Sequence, residues 1–477
     1  MAPMDIFVRP NFPLVPEITN LSPFDQFIGR HYSPVLLIFE TDPNSSLEVT
    51  LSELRQGLAK LLDDMPFLAA NVVIADASRD HLQLEIPEDA GVLFRVKEMT
   101  EPAEGPVLNF AELQKSWFPT SLLESSDLSP ISLDPEAIAP CLSVQATFIQ
   151  GGLILAAYIH HSVVDGDGAG VIFMRWAKYV KAISEGRMLS TSDLFDENAL
   201  DRSPLFPIHP SRNKLYDFPG FQDGNQSEEG GMWWSAGQRM AMYERAQTEK
   251  TKVAHWYFSK EKLAELQETA KPLSSKDGKM TEGTILTAFI WRHFTRARRL
   301  QEQGIEKVSC HNPCSIRARL EPQLHSDYPG NAVVPSKAEI SIKELLSSDP
   351  NTLYRVASAL RVSIDWWTSD RIWGLLGAME AWPRVRHIER IMDLNHKVDL
   401  HMTNVSGLSL MKLHWGKSLG PVRSFSMPSM SMMPGFGMIM PRGPDGGLMV
   451  MLFTEQASHE RLIEDKEFLK FAEFKCS

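Results

Sequence analysis

Apolar positions change their period several times along the chain, and each change predicts an element. Leu142, Val144, Ala146 and Phe148 alternate with less apolar neighbours, the period of a half-buried strand. Leu153 to Ile159 is an unbroken apolar run of strand length, and Gly151-Gly152 between the two segments can turn the chain. A β-hairpin is therefore predicted over 142–159. From Ala169 to Ala182 the spacing of Ile172, Trp176, Tyr179 and Val180 is helical. Thr50-Leu51-Ser52-Glu53 reads as a capping box opening an earlier helix, with Leu51, Leu54, Leu58, Leu61 and Leu62 on one face and Pro66 as its stop. Ser259 is placed to cap a helix carrying Leu263 and Leu266. A further helix is predicted over 282–300, where Leu286, Phe289, Ile290 and Phe294 recur at helical spacing. Near the C-terminus, Met438-Ile439-Met440 and Leu448 to Phe453 flank the turn sequence Pro444-Asp445-Gly446-Gly447, and a last helix is predicted from about 458.

Between these patterned halves the periodicity fades. Residues 190–250 carry Pro204, Pro207, Pro210 and Pro219 and the run Asp223 to Gly231, and they read as a long surface connection. The expected organisation is an N-terminal domain over 1–189, a crossover linker over 190–250 and a C-terminal domain over 251–477. A chain of 477 residues is long for one core, which agrees with two domains. Strands and helices are predicted in both halves.

Composition narrows the function. A formal charge of −12 without a long basic stripe argues against nucleic-acid binding. No run of eighteen apolar residues predicts a membrane span, and the first residues lack a secretory pattern, so the expected location is cytoplasmic. Cys141, Cys310, Cys314 and Cys476 are few and scattered, as in a reducing compartment. A polyanionic ligand would need a local basic patch, for which Arg292, Arg296, Arg298 and Arg299, or Arg384, Arg386 and Arg390, are candidates against a reading as solvated helix faces.

The candidate chemistry sits at the end of the predicted hairpin, in His160-His161-Ser162-Val163-Val164-Asp165-Gly166. A lone histidine after a strand is usually structural. Held at a strand end with glycines clearing space, His161 suits a general base. Two metal readings fail on spacing, and a third is outweighed by packing. Cys310 and Cys314 lack a second ligand pair for zinc, and Asp165-Gly166-Asp167-Gly168 places Trp176 where a calcium loop needs an acid. The methionines from Met427 and Met430 to Met440 are commoner as packing than as copper ligands, and read equally as core strand or as the lining of an adaptable pocket.

The H-H-x-x-x-D-G spacing resembles that of the BAHD-type and chloramphenicol-acetyltransferase-like acyltransferase superfamily. Other segments are similar to that family in the family's order: Leu21-Ser22-Pro23-Phe24-Asp25-Gln26, Met65 to Ala70, Thr287 to Arg292, Ser315-Ile316-Arg317-Ala318-Arg319-Leu320 with Tyr328-Pro329-Gly330-Asn331, and Asp445-Gly446-Gly447-Leu448. The details resemble the fungal secondary-metabolite branch, of the trichothecene 3-O-acetyltransferase type. The resemblance implies a two-domain α/β fold, each domain a mixed sheet flanked by helices, with a substrate tunnel between them. It implies an acyl-CoA co-substrate, no other cofactor, and a small natural-product acceptor acylated at a hydroxyl by a monomer. It implies that His161 is the base, while Asp165 turns away to pair with Arg317 or Arg319 and, with Gly166, supports the site. His160 is expected to be structural rather than catalytic, and is kept as a candidate for the tunnel or pocket.

One landmark departs from the family. Where the second signature begins with aspartate, this chain has His414, in His414-Trp415-Gly416-Lys417-Ser418-Leu419-Gly420. An imidazole near Arg423 does not make the pair that the aspartate makes. His414, Trp415 and Gly416 are kept as candidates for the tunnel. The departure keeps open a repurposed scaffold: N-acylation, transfer from a carrier protein, or a cyclisation or elimination that adds no acyl group. A non-catalytic binding protein is a third reading, which the intact histidine motif opposes.

Overall fold

The computed structural model describes residues 3–477 except 42–45, 101–107, 133–137, 191–192, 209–212, 224–243, 245–247, 249, 272–279, 391–396 and 430–432. In the N-terminal half the strands are β1 Met4–Val8, β2 Glu17–Asn20, β3 Tyr32–Glu40, β4 Asn71–Asp76, β5 His81–Ile86, β6 Val92–Met99, β7 Ala139–Pro140, β8 Leu142–Ile149 and β9 Gly152–His160. In the C-terminal half they are β10 Phe221–Asp223, β11 Thr251–Phe258, β12 Lys307–Ser315, β13 Val333–Ser341, β14 Ile388–Arg390, β15 Leu400–Asn404, β16 Ser424–Ser426, β17 Phe436–Ile439, β18 Leu448–Glu455 and β19 Glu473–Cys476. Two large mixed sheets result. The first runs β1-β6-β8-β9-β3-β16 and the second β13-β12-β15-β17-β18-β11-β19.

The predicted hairpin is the centre of the first sheet. Leu142 pairs with Ile159 and Ile149 with Gly152, and β9 then pairs with β3 from Tyr32–His160 to Glu40–Gly152. Both hairpin strands are buried throughout, which explains a near-continuous apolar run in β9. The Gly166–Ser184 helix follows at once and packs on the Leu47–Asp64 helix.

The second half buries its own core of Trp256, Phe258, Leu286, Phe289, Ile290 and Trp291 behind β11 and β18. Its helices at Lys260–Thr269 and Glu282–Ala297 start where predicted, the first capped by Ser259 accepting from the Lys262 N–H (3.2 Å). The two halves are not separate in sequence. Strand β16, from the C-terminal half, pairs antiparallel with β3 at the edge of the first sheet.

Two sequence expectations are corrected. The helix expected to open at Thr50 begins one turn earlier, at Leu47 after Ser46. Thr50 lies inside its first turn and donates its hydroxyl to the Ser46 carbonyl (3.3 Å), so the apparent capping box is a buried helical face. The described part of 190–250 is not a bare surface connection. Leu205, Leu215, Phe218 and Phe221 pack with Trp367, Ile372 and Leu375 in a third core, and β10 pairs with β14. Prolines concealed this from a periodicity reading, because short 3-10 turns bury single residues rather than faces.

Candidate active site

His161 follows the last residue of β9 and begins the turn into the Gly166–Ser184 helix. Both of its backbone groups are held. Its N–H donates to the His31 carbonyl (2.8 Å), from the start of β3. Its carbonyl accepts from the Asn331 side-chain amide (2.9 Å), from the second half. The imidazole is partly exposed and meets the His31 ring edge-on, centroids 5.1 Å apart. A ring fixed so has the chemistry of a proton acceptor and donor.

Asp165 is the N-cap of the helix and is buried. Its Oδ1 accepts from the Gly168 N–H (2.9 Å) and from Arg317 Nη2 (2.8 Å). Its Oδ2 accepts from Arg317 Nη1 (3.0 Å) and from the Ala332 N–H (2.9 Å). Four donors fill a carboxylate, so Asp165 has no remaining acceptor site with which to orient His161. Burial disfavours the Arg317 cation, but the Asp165 charge more than offsets this and raises its pKa above the ordinary arginine value. Arg317 also donates to the Tyr328 and Gly330 carbonyls (3.0 and 2.8 Å), which fixes the Tyr328-Pro329-Gly330 segment over the helix start.

That approach explains one glycine. A Cβ at Gly168 would lie 1.9 Å from the Pro329 carbonyl oxygen, whereas one at Gly166 would meet only Val405 at 3.6 Å. Gly168 permits the close packing, and Gly166, expected to share the role, is not sterically required.

A second buried pair lies beside the first. Asp25, the acid of the Leu21–Gln26 segment, accepts from Arg202 Nη1 (2.6 Å), from Ser22, and from both the backbone and side-chain amides of Asn331 (3.0 Å each). Arg202 donates in turn to the Val163 carbonyl (3.1 Å), within the histidine turn. Asn331 therefore bridges Asp25 to His161. The family-like segments at 21–26 and 328–331 pointed to this network without revealing its role. Arg202 carried no signal, since it lies alone in the expected linker.

The remaining candidates disperse. His160 is buried, with its ring edge-on to Tyr32 at 5.4 Å. Arg319 lies near Asp365 (3.6 Å) rather than Asp165. Trp415 is fully buried between Phe39 and Trp176, and a Cβ at Gly416 would lie 2.5 Å from the Ser184 side chain. Gly416 thus docks at the far end of the Gly166–Ser184 helix, whose ends lie roughly 28 Å apart, while Trp415 packs on Trp176 in the middle of that helix. His414 is exposed, and its Nδ1 accepts from the Gly416 N–H (3.2 Å). The structure does not bring these three together with His161. Arg423, which the imidazole leaves unmatched, pairs with Glu40 (2.9 Å) from the end of β3. Met427 is half-buried against the first core, and Met430 lies outside the described residues.

The candidate basic patches are spent on protein contacts. Arg296 binds Asp465 and Glu467, Arg298 binds Glu455, and Arg292 donates to the Leu345 carbonyl. Arg384 pairs with Asp80 (3.4 Å), and the side chains of Arg386 and Arg390 lie outside the described residues. Among the described residues no helix is long and apolar enough to cross a membrane.

The model of the Transferase family matches residues 6–366. The chain belongs to that family, the BAHD-type acyltransferases. It is 27% identical over 478 residues to the acyltransferase easC of Emericella nidulans, covering 98% of each chain. It is 25% identical over 487 residues to the eremophilane O-acetyltransferase ORF8 of Penicillium roqueforti, covering 96% of this chain and 98% of that one. Among solved structures it resembles F. graminearum TRI101 complexed with coenzyme A and T-2 mycotoxin, with TM-score 0.80, 18% identity, and coverage of 96% and 99%. Vinorine synthase follows with TM-score 0.67, 18% identity, and coverage of 99% and 98%. These structures share the two-sheet α/β fold.

Proposed function

We propose that this chain transfers an acyl group, acetyl in the first instance, from an acyl-CoA to a hydroxyl of a small natural product, with His161 as the general base. The observation that carries this is the histidine turn. His161 stands where β9 leaves the first sheet and is held by backbone bonds from both halves, and the aspartate beside it is filled by other partners. Relatives over nearly the full length that are named O-acetyltransferases, and a neighbour of the same fold holding coenzyme A and a mycotoxin, support the donor and acceptor classes.

The steps follow from the chemistry. The acceptor O–H gives its proton to His161 as its oxygen attacks the thioester carbonyl. The tetrahedral intermediate collapses with cleavage of the C–S bond. The imidazolium returns the proton to the departing thiolate, giving the ester and free CoA-SH. No acyl-enzyme forms, so no nucleophilic side chain is needed. Holding both substrates together supplies much of the rate. His160 supports the strand end, and Asp165, Arg317 and Gly168 fix the turn. One chain supplies both sides of the site, which favours a monomer, and we place it in the cytoplasm.

The departure at His414 motivated repurposed chemistry, but Glu40 supplies Arg423 with a carboxylate from another strand. That observation restores a local ion pair without the usual aspartate and removes the main reason to prefer another reaction. The test is incubation with acetyl-CoA and a panel of polyol terpenoid and alkaloid acceptors, read by product mass and thiol release. An acceptor gaining one acetyl group with stoichiometric thiol supports the reading. An altered acceptor without added acyl mass favours a cyclisation or elimination.

A further inference from the structure

A cleft of 320 Å³ is lined by residues of both halves, His161 not among them. Its walls include Trp117, Phe118, Tyr257, Phe425, Met440 and Met449. Strand β16 marks its position. Ser424 of the cleft pairs with Ile38, whereas His160 pairs with Tyr32 on the same strand. Six residues of strand separate the two, roughly 20 Å.

The polar groups of the cleft are unequal. Arg423 is matched by Glu40, and Asp445 accepts from the Tyr257 hydroxyl (2.7 Å). His255, by contrast, is 3% exposed, and its Nδ1 has no hydrogen-bond partner among the described residues. Burial pushes its pKa down to about 4, so the imidazole is neutral. A buried polar group left without a partner costs free energy, and in native structures such a group calls for an explanation. The rim is strained as well. Trp117 and Phe118 are consecutive non-glycine residues with φ of 63° and 53°, in the left-handed region. Lys475 of β19 clamps the Trp117 ring from 3.9 Å, and Cys476 Sγ donates to the Trp117 carbonyl (3.6 Å). The chain thus holds an aromatic rim in an unfavourable conformation over an apolar cavity with one unmatched polar side chain.

We propose that this cleft is a second binding site, for an uncharged, mainly aromatic or alicyclic molecule carrying one hydroxyl that hydrogen-bonds to His255. An anion is disfavoured by the walls, where Arg423 is paired with Glu40 and the Asp445 carboxylate accepts from the Tyr257 hydroxyl and the Gly447 N–H, leaving no free cation among the described lining residues. The volume suits a small ligand at the lower end of the range of binding pockets.

The test uses 2-naphthol, neutral at pH 7, and its anionic counterpart 2-naphthoate, in isothermal titration calorimetry with the full chain. Saturable binding of 2-naphthol at one site is expected, with 2-naphthoate about tenfold weaker or more because its carboxylate would enter an apolar site unpaired. His255→Phe should weaken 2-naphthol about three- to tenfold, the worth of one hydrogen bond. Met449→Trp and Ser424→Trp fill the cleft from opposite walls, so a misfolded variant at one position leaves the other decisive, and each should abolish binding. His161→Ala should leave the affinity unchanged. Absence of saturable binding, wild-type affinity in both filled variants, 2-naphthoate binding as tightly as 2-naphthol, or loss of binding in His161→Ala would each overturn the proposal. None of these outcomes depends on whether the protein transfers acyl groups.

Discussion

His161 stands just past the end of β9 and His255 lies within β11, and their settings differ in burial. His161 follows the last residue of its strand, partly exposed, with its backbone anchored on both sides. His255 sits within β11, paired with Met451 on one side and Cys476 on the other, and is almost fully buried. Desolvation alone drives the second ring to stay neutral.

The comparison breaks most decisively through activity. His161→Ala should lower kcat by about 10²–10⁴-fold with the melting temperature unchanged, while His255→Phe should leave acetyl transfer within about twofold. Equal losses in steady-state assays of the two variants would erase the distinction.

The polar anchoring at the His161 end is tested next. Arg317→Met strands the buried Asp165 carboxylate and should cost about 3–5 kcal/mol in chemical denaturation. Adding Asp165→Asn should recover part of that, because the paired groups couple.

Steric tightness at the same end predicts a smaller effect. Gly168→Ala should cost about 1–3 kcal/mol, since its Cβ would overlap the Pro329 carbonyl. Gly166→Ala has room and should be near neutral in the same melt.

An effect of similar size appears with pH. A histidine whose pKa falls from 6.5 unfolded to about 4 folded loses protons on folding, so its stabilisation is complete above 6.5 and is lost as pH falls toward 4. By pH 5 this amounts to about 2 kcal/mol. Buried His293, also shifted downward, adds to the same slope. The difference between wild type and His255→Phe isolates one residue, and the variant should lose less stability between pH 7 and pH 5 in thermal melts.

Much of the fold was legible because long elements carry their period. The hairpin at 142–160, the following helix and the C-terminal strands were each marked by several residues, and turn glycines punctuated them. What the sequence concealed depends on contacts far apart in the chain. Thr50-Leu51-Ser52-Glu53 mimicked a cap because local spacing is blind to the helix turn before it. The exchange of β16 into the first sheet, and the partnership of Arg202 with Asp25 across 177 positions, have no local pattern. At the site, both arginines of Arg317-Ala318-Arg319 fit the spacing, and only the structure separates them: Arg317 reaches Asp165 and Arg319 turns to Asp365. Trp415 and Gly416 were candidates for the tunnel from their motif, and the structure packs Trp415 on Trp176 and Gly416 against Ser184, contacts that no local pattern shows.

The central claim is that His161 acts as the base while Asp165 only shapes the turn. The most direct test is the pH–rate profile of acetyl transfer by Asp165→Asn, at a temperature where circular dichroism shows it folded, beside wild type and His161→Ala. The account predicts that Asp165→Asn keeps the wild-type apparent pKa of the base and stays within about tenfold of wild-type kcat/KM, while His161→Ala loses the titration altogether. A shifted base pKa together with a loss as large as that of His161→Ala would mean that the aspartate tunes the imidazole, and would contradict it.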